Sequence, residues 1–310
     1  MDRFEAMGLL IETVEAGSMS AAGRKLGVPL PTLSRKLADL EEHLGVRLLI
    51  RSTRRLELTE EGATYLAASR RILEEVGEAE RQAGGEYVTP RGTLLVTAPV
   101  SFGRRHVLPI IGDYLAEHPE VSVRLNLSDQ HLDLVGDHVD LAVRIGVLPD
   151  SQLVARRIGD MRWVIVGSPA LLDVHGVPTQ PQDLQRWPCV GVDNIQLASW
   201  WRFRKPGDRS DHTVAVRPRF AVNSGEGAVD GAVAGLGLTQ TMLYQAAPAI
   251  ADGRLRIVLA DWEAAPLPLS IVYTGQGRMP MKTRSLLDFA SPRLAADLVR
   301  LDRMVPDRTA

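Results

Sequence analysis

Ser34, Arg35 and Lys36 place a hydroxyl, a guanidinium and an ammonium on consecutive positions, and Arg47, Arg51, Arg54 and Arg55 follow in a stretch, 44–55, that holds no acid. These groups are donors without a general base beside them. A guanidinium forks onto guanine or phosphate oxygens, and a serine hydroxyl reaches a base edge or a phosphate. The chemistry on offer is recognition of a polyanion rather than bond making. Elsewhere, catalytic patterns fail one by one. His43, His106, His118, His131, His138, His175 and His212 make no His-Glu-x-x-His or other metal spacing. Asn223-Ser224-Gly225 is not a nucleophile elbow, and no Gly-x-x-x-x-Gly-Lys loop occurs. Gly235-Leu236-Gly237 lacks the third glycine of a dinucleotide fingerprint and reads as a helix end. Cys189 is the only cysteine, which excludes an intramolecular disulfide or a multi-cysteine metal site. Asp129, Asp133 and Asp137 fall at i, i+4, i+8 and read as a solvated helix face. No residue set proposes an enzyme, a metal or a cofactor.

The basic groups need elements to hold them. Phe4, Met7, Leu10, Ile11 and Val14 share one face at helical spacing, which predicts a first amphipathic helix ended by Gly17. Ser18 or Ser20 can cap a second helix running to about Leu26, with Gly27 beyond its end. Val28-Pro29-Leu30-Pro31 is a turn, and a third helix begins near Pro31, since proline suits the first helical position. Its apolar stripe is Leu33, Leu37, Leu40 and Leu44, which leaves Ser34, Arg35 and Lys36 off the stripe near its start. Val46–Arg51 and Arg54–Leu58 read as a basic hairpin around Ser52-Thr53. Two short helices, a tight turn and a basic hairpin are the parts of a winged helix-turn-helix, a DNA reader. The candidate DNA-contacting set is Leu30, Pro31, Thr32, Ser34, Arg35 and Lys36 on the third helix, with Arg51, Arg54 and Arg55 in the hairpin.

Charge is distributed to match. The chain of 310 residues carries a net −2, which alone disfavours a nucleic-acid partner. Yet eight basic and four acidic residues lie between Gly17 and Leu58, and three basic and seven acidic residues between 59 and 86. A basic head is followed by an acidic segment. At 45% hydrophobic and 24% charged, the composition is that of an ordinary globular protein of about two domains. No apolar run reaches the ~20 residues of a membrane span, and the N-terminus lacks a signal peptide's apolar stretch. A cytoplasmic protein without a membrane partner is expected.

The run 18–62 resembles the N-terminal winged helix-turn-helix of the LysR-type transcriptional regulators. The features that carry the likeness are Ser20-Ala21-Ala22, Leu26-Gly27-Val28, Leu33-Ser34-Arg35, Leu40-Glu41, Leu44-Gly45-Val46, Leu48-Leu49, Arg51 and Leu58-Thr59-Glu60-Glu61-Gly62. By that resemblance the family's DNA-contacting positions fall on Leu30, Pro31, Ser34 and Arg35, with Arg54 in the wing. Many members carry a polar residue where this chain has Leu30, so a thymine methyl replaces a hydrogen-bonded base there.

From Glu60 to Gln82 no proline intervenes. Leu66, Ser69, Leu73, Val76, Glu80 and Ala83 form an imperfect coiled-coil seam, with Tyr65, Ile72 and Ala79 beside it. A helix of about 24 residues would be a rod of roughly 36 Å. The alternative is a helix packed on its own domain; the resemblance implies dimerisation.

Gly84-Gly85 and Pro90-Arg91-Gly92 mark a linker. Beyond it, candidate strands (93–98, 121–128, 140–145, 162–168, 219–223, 237–240, 255–259 and 269–274) alternate with candidate helices (102–117, 130–137, 225–235, 241–250 and 283–299). That alternation predicts a mostly parallel sheet covered on both faces. Crossings near Gly159–Arg162 and Ala264–Leu269 divide it into two subdomains. The expected architecture is α/β and multidomain: a winged helix-turn-helix over 1–59, a linker helix over 60–86 and an effector-binding domain over 91–300. Subdomain I spans about 91–161 and 267–300, and subdomain II about 162–266. The resemblance extends here through Pro99–Arg104, Leu108-Pro109, His118–Val121, Asp140–Gly146 and Ala234–Leu238, and implies a periplasmic-binding-protein-like domain with its ligand between the subdomains.

Strand ends that run into helices at Pro99-Val100-Ser101-Phe102-Gly103 and at Val222-Asn223-Ser224-Gly225 offer hydroxyls and free N–H groups to an anion. Ser128 closes another strand at a comparable place. Ser101 and Ser224 can equally cap their helices. The candidate effector set is Val100, Ser101, Phe102, Ser128, Arg144, Trp201, Asn223 and Ser224. Packing competes for Trp200 and Trp201, and surface ion pairing for Arg144 and Arg202. Partners implied by the resemblance are double-stranded promoter DNA, a second copy of the chain in a dimer or tetramer, a small effector, and RNA polymerase. Two other classes stay open: a solute sensor with a vestigial DNA-binding head, told apart by failure to bind its own upstream region, and an α/β enzyme, told apart by turnover.

Overall fold

The computed structural model describes residues 2–51, 56–83, 89–130, 134, 136, 139–148, 153–192, 200–205, 207–275 and 279–305. Two compact units, Met1–Val88 and Thr89–Ala310, divide the chain.

The first unit contains α1 (Arg3–Glu15), α2 (Met19–Leu26), α3 (Leu30–Leu44), β1 (Leu49–Arg51), β2 (Leu56–Leu58) and α4 (Glu60–Ala83). Ser18 caps α2 by accepting from the Ala21 N–H, and Gly27 ends it at φ +66°, a conformation an L side chain resists. That reversal delivers α3 at once. Leu33, Leu37 and Leu40 of α3 are buried with Leu9, Leu10, Ala22, Leu48, Leu49 and Leu66 in one core. The face of α1 differs from expectation. Ala6, Met7, Leu9, Leu10 and Thr13 are its buried residues, while Phe4 is 51% exposed. Thr13 can be buried because its hydroxyl donates to the Leu9 carbonyl at 2.6 Å. β1 and β2 pair antiparallel, Leu49 against Leu58.

The α4 seam is partly spent inside the unit. Leu66 and Ser69 are buried, and Leu73 stands against Gly8 of α1. The stripe read as an intermolecular seam therefore packs, over its first half, on α1. The stripe beside it is the outward one: Ile72 and Ala79 are exposed.

The second unit runs β3 (Gly92–Ala98), α5 (Val100–Phe102), a π-helical turn (Gly103–Val107), α6 (Leu108–Glu117), β4 (Val121–Leu127), β5 (Leu141–Ile145), β6 (Leu153–Met161) and β7 (Trp163–Gly167). It continues with α7 (Pro169–His175), β8 (Cys189–Val192), β9 (Trp200–Phe203), β10 (His212–Ala215), β11 (Pro218–Val222), α8 (Gly225–Val233) and β12 (Thr239–Met242). α9 (Leu243–Ala251), β13 (Arg256–Val258), β14 (Leu267–Thr274) and α10 (Met281–Arg303) complete it. A five-stranded sheet has the order β4-β3-β5-β14-β6, and β12-β7-β13, β11-β8 and β10-β9 form smaller sheets.

The arrangement is mixed rather than mostly parallel. β4, β3 and β5 are parallel, but β14 runs antiparallel to both β5 and β6. It must, because β6 carries the chain out of the first sheet and β14 carries it back. β6 had no alternating pattern to reveal it: it is an edge strand with Arg156 and Arg157 exposed, the charged edge that discourages further pairing. β8, β9 and β10 were also unforeseen. Each is only four residues long, too short for a periodic signal. Of the expected helix 130–137, Leu134 and Gly136 lie in turns, and the positions 131–133, 135 and 137 lie outside the described residues. Asp133 and Asp137 fall there, as do the linker residues Gly84 and Gly85.

Candidate functional sites

In the first unit, α3 starts at Leu30 with Pro29 at its cap, and no side chain caps it. Its N-terminal dipole end is thus open to an anion. Leu30 is 44% exposed, Pro31 and Arg35 are exposed, and Thr32 and Ser34 are half-buried. The buried stripe Leu33-Leu37-Leu40 fixes which way they face. Lys36 behaves differently from its neighbour: its ammonium pairs with Glu5 of α1, so its charge is largely answered within the unit. A shallow depression of about 400 Å³ beside Leu30 is lined by Ser20, Arg24, Gly27, Val28 and Pro29. Sequence reading gave Ser20 only a capping role and gave Arg24 no place in the DNA-contacting set. The signal for Arg24 was its place in the basic stretch Gly17–Leu58.

The hairpin is tied to α3 and α4 by short polar contacts. Glu41 accepts from the N–H groups of Leu48 and Leu49 at 2.8 and 3.0 Å. Thr59 donates its hydroxyl to the Arg47 carbonyl at 2.7 Å and accepts from the Gly62 N–H at 2.9 Å. It thereby closes the hairpin and caps α4. Arg51 lies in β1; Arg54 and Arg55 lie outside the described residues.

In the second unit, the parallel strands β4, β3 and β5 end along one edge, where ligands of open α/β sheets sit. Val100 is exposed and Ser101 half-buried there, after β3. Ser101 does not cap its helix; Pro99 occupies the cap position without a side-chain bond. Ser128, after β4, accepts from the Gln130 N–H at 3.1 Å. Asp129 is exposed, and its carboxylate accepts from the Val100 N–H at 3.1 Å. Arg144, near the end of β5, is buried and donates to the Gln130 carbonyl at 3.4 Å. Across the unit, Ser224 caps α8 by accepting from Gly227 at 3.0 Å, and Asn223 is exposed.

Two expected contacts are corrected. Phe102 is fully buried, stacked on His106 with ring centroids 4.7 Å apart and set edge-on to Tyr244 at 5.2 Å. It is a core anchor, because the helical turn points it down into the sheet rather than out. Trp201 is likewise buried with Leu184, Cys189, Phe203 and Leu238. Strand alternation exposes Trp200 instead. Burial pushes the Cys189 thiol up to about 12, so it is a packing residue and not a nucleophile.

Charged bridges tie together elements of this unit that are far apart in sequence. Arg162, between β6 and β7, holds Glu263 in a bidentate pair at 2.7 and 3.0 Å. Glu226 of α8 accepts from Arg104 and Arg105 of the π-helical turn, each at 2.9 Å. Among the described residues, no group of His, Cys, Asp and Glu could hold a metal, and no helix is long and apolar enough to cross a membrane.

Comparison with known proteins agrees with both units. Residues 4–63 match the family described as bacterial regulatory helix-turn-helix protein, lysR family, and residues 88–295 match the LysR substrate binding domain. An HTH-type transcriptional regulator of Xanthomonas campestris pv. campestris is 37% identical, covering 97% of this chain and 88% of that protein. The structure of CrgA, a LysR-type transcriptional regulator from Neisseria meningitidis, superposes with TM-score 0.59 at 30% identity, covering 94% of this chain and 98% of the other. Full-length AphB, a virulence activator of Vibrio cholerae, gives 0.58 at 27% identity, covering 92% and 97%. With a reader unit and a sensor unit both matched along nearly its whole length, the chain belongs to the LysR family of bacterial transcriptional regulators.

Proposed function

We propose that this regulator acts in the cytoplasm as a dimer, or as a tetramer built from dimers, that grips an inverted-repeat promoter site through α3. Leu30, Pro31, Thr32, Ser34 and Arg35 face the major groove, with Arg24 on the adjoining backbone and Arg51, Arg54 and Arg55 along the wing's phosphates. The observation that carries this reading is the outward set Leu30, Pro31 and Arg35 on a helix whose other side is locked into the core. Lys36 is a lesser contact because Glu5 holds it. Dimerisation runs through the outward stripe of α4. A small organic effector binds in the second unit at the strand ends, near Val100, Ser101, Ser128 and Arg144, with Asn223 and Ser224 opposite. Its binding shifts the balance between two arrangements of the halves, which requires different affinity for each. RNA polymerase is the partner that would read such a shift, and no catalytic step is involved.

The test is binding of the purified protein to its own upstream region, followed by fluorescence anisotropy. Arg35→Ala should lower affinity by about 1–3 kcal/mol. Unchanged affinity would remove α3 from the interface. Failure of the unaltered protein to bind any upstream fragment would favour the sensor with a vestigial head.

A further inference from the structure

We propose that Arg144 is the receptor for a single carboxylate, so that the effector is a small monocarboxylate held at the C-terminal edge of β4, β3 and β5. The proposal rests on the effector reading above and names the chemistry of that same site.

Register puts Thr97 of β3 beside Ala142 of β5, and Ser270 of β14 beside Arg144. Leu141 and Val143 enter the core that includes residues of α6 and α10, while Ala142 joins Leu95 and Val272 in a separate cluster. By strand alternation Arg144 and Thr97 leave the sheet on that second face. Arg144 is only 8% exposed, yet among the described residues its one bond is the long one to the Gln130 carbonyl, and its Nη2 has no partner. Among the described residues no carboxylate pairs with it. The Thr97 hydroxyl, fully buried, also has no partner. Burial alone presses against the charged form of Arg144, but a guanidinium stays protonated.

A buried cation without a counter-ion is costly, and buried charges are normally paired. Two donors on one face of the sheet, without partners among the described residues and at the end where ligands sit, suit an oxyanion carried by a ligand. The Val100 N–H at the same edge is already answered by the Asp129 carboxylate. A second negative group on the ligand would meet that carboxylate. The ligand therefore carries one negative charge, at Arg144, with Thr97 donating beside it.

The experiment uses the full chain and the minimal probes sodium formate and sodium acetate, set against formamide, acetamide and sodium chloride at matched ionic strength. Thermal melts and calorimetry should show a saturable response to the carboxylates and none to the amides. Arg144→Gln should weaken it about tenfold or more, and Thr97→Val by a smaller factor. Arg144→Met should melt no lower than the unaltered protein in carboxylate-free buffer, because it removes an unpaired buried charge. A response equal in Arg144→Gln and the unaltered protein, a response to chloride as strong as to acetate, or no carboxylate response overturns the proposal. A response lost in Ser101→Ala but intact in Arg144→Gln keeps the effector pocket and overturns the role of Arg144. Promoter binding, measured in parallel, shows whether the regulator reading stands apart from this one.

Discussion

Gly62 lies so close to the Leu48 carbonyl that a β-carbon at position 62 would stand 2.0 Å from that oxygen. The first turn of α4 therefore presses on the backbone where the hairpin begins, and Thr59, three residues earlier, stitches the same place by accepting from the Gly62 N–H. The motif Leu58-Thr59-Glu60-Glu61-Gly62 is a joint: a hydroxyl that caps and a missing side chain that permits contact. Gly62→Ala should move the hairpin off α3 and destabilise the first unit by about 1–3 kcal/mol, as overpacking does. Urea unfolding checks the stability, and the variant should lose promoter affinity before it loses helix content.

Arg35 and Lys36 are neighbours in sequence and should differ on DNA. Arg35 is exposed, whereas Lys36 is paired with Glu5. Arg35→Ala should weaken promoter binding by the larger factor and flatten its salt dependence by roughly one phosphate contact if it meets the backbone. Lys36→Ala should cost less, and Glu5→Gln should partly free Lys36 and strengthen binding. Affinity measured across a salt series separates these outcomes.

Ile72 is exposed on α4, while Leu66 is buried against the first unit's own core. Ile72→Asp should shift the protein toward monomer at micromolar concentration without lowering its melting temperature in the monomer. Leu66→Ala should do the reverse, destabilising the fold by about 2–5 kcal/mol. Sedimentation velocity and thermal melts distinguish a seam between copies from a seam within one.

His106 sits in the π-helical turn with Nδ1 3.1 Å from Asp297. Burial holds its imidazole below the ordinary range, partly opposed by Asp297. In the unfolded chain the group takes a proton near pH ~6.5, while the folded protein resists it to lower pH. Its contribution to stability is therefore present above that pH and lost as pH falls through the folded value. Melts of the protein between about pH 7.5 and 5 should show that loss, and His106→Gln should flatten it. Equal pH dependence in both would assign the effect elsewhere.

Glu226 answers Arg104 and Arg105 together. Burial acts to raise its carboxyl pKa, but the two guanidinium groups outweigh that and hold it below the usual range. Arg104 is exposed and Arg105 about a third exposed, so solvent screens the bridge. Glu226→Gln should lower the melting temperature by no more than roughly 2–4 °C, with the difference shrinking in high salt. Its larger effect should be on exchange of backbone amides in α8 and the π-helical turn.

The reader unit was legible almost residue by residue. Ser18, Gly27 and Leu33-Leu37-Leu40 act locally, through capping, a left-handed turn and helical period, and such signals need only a few neighbouring residues. The family run 18–62 then named the unit, and matched motifs extended the likeness along the chain. Tertiary structure decided which partner each apolar stripe meets. The period of Leu66, Ser69 and Leu73 is the same whether the partner is α1 or a second chain, so only packing distinguishes them. It decided the direction of β14, because a return crossing has no local signature. It also sorted the candidate effector residues: Phe102 and Trp201 went to the core, and Arg144 stayed buried at the strand ends with no carboxylate paired to it among the described residues. Residue type makes an anion receptor possible, but burial of the guanidinium, a property of several strands at once, is supplied only by the tertiary structure.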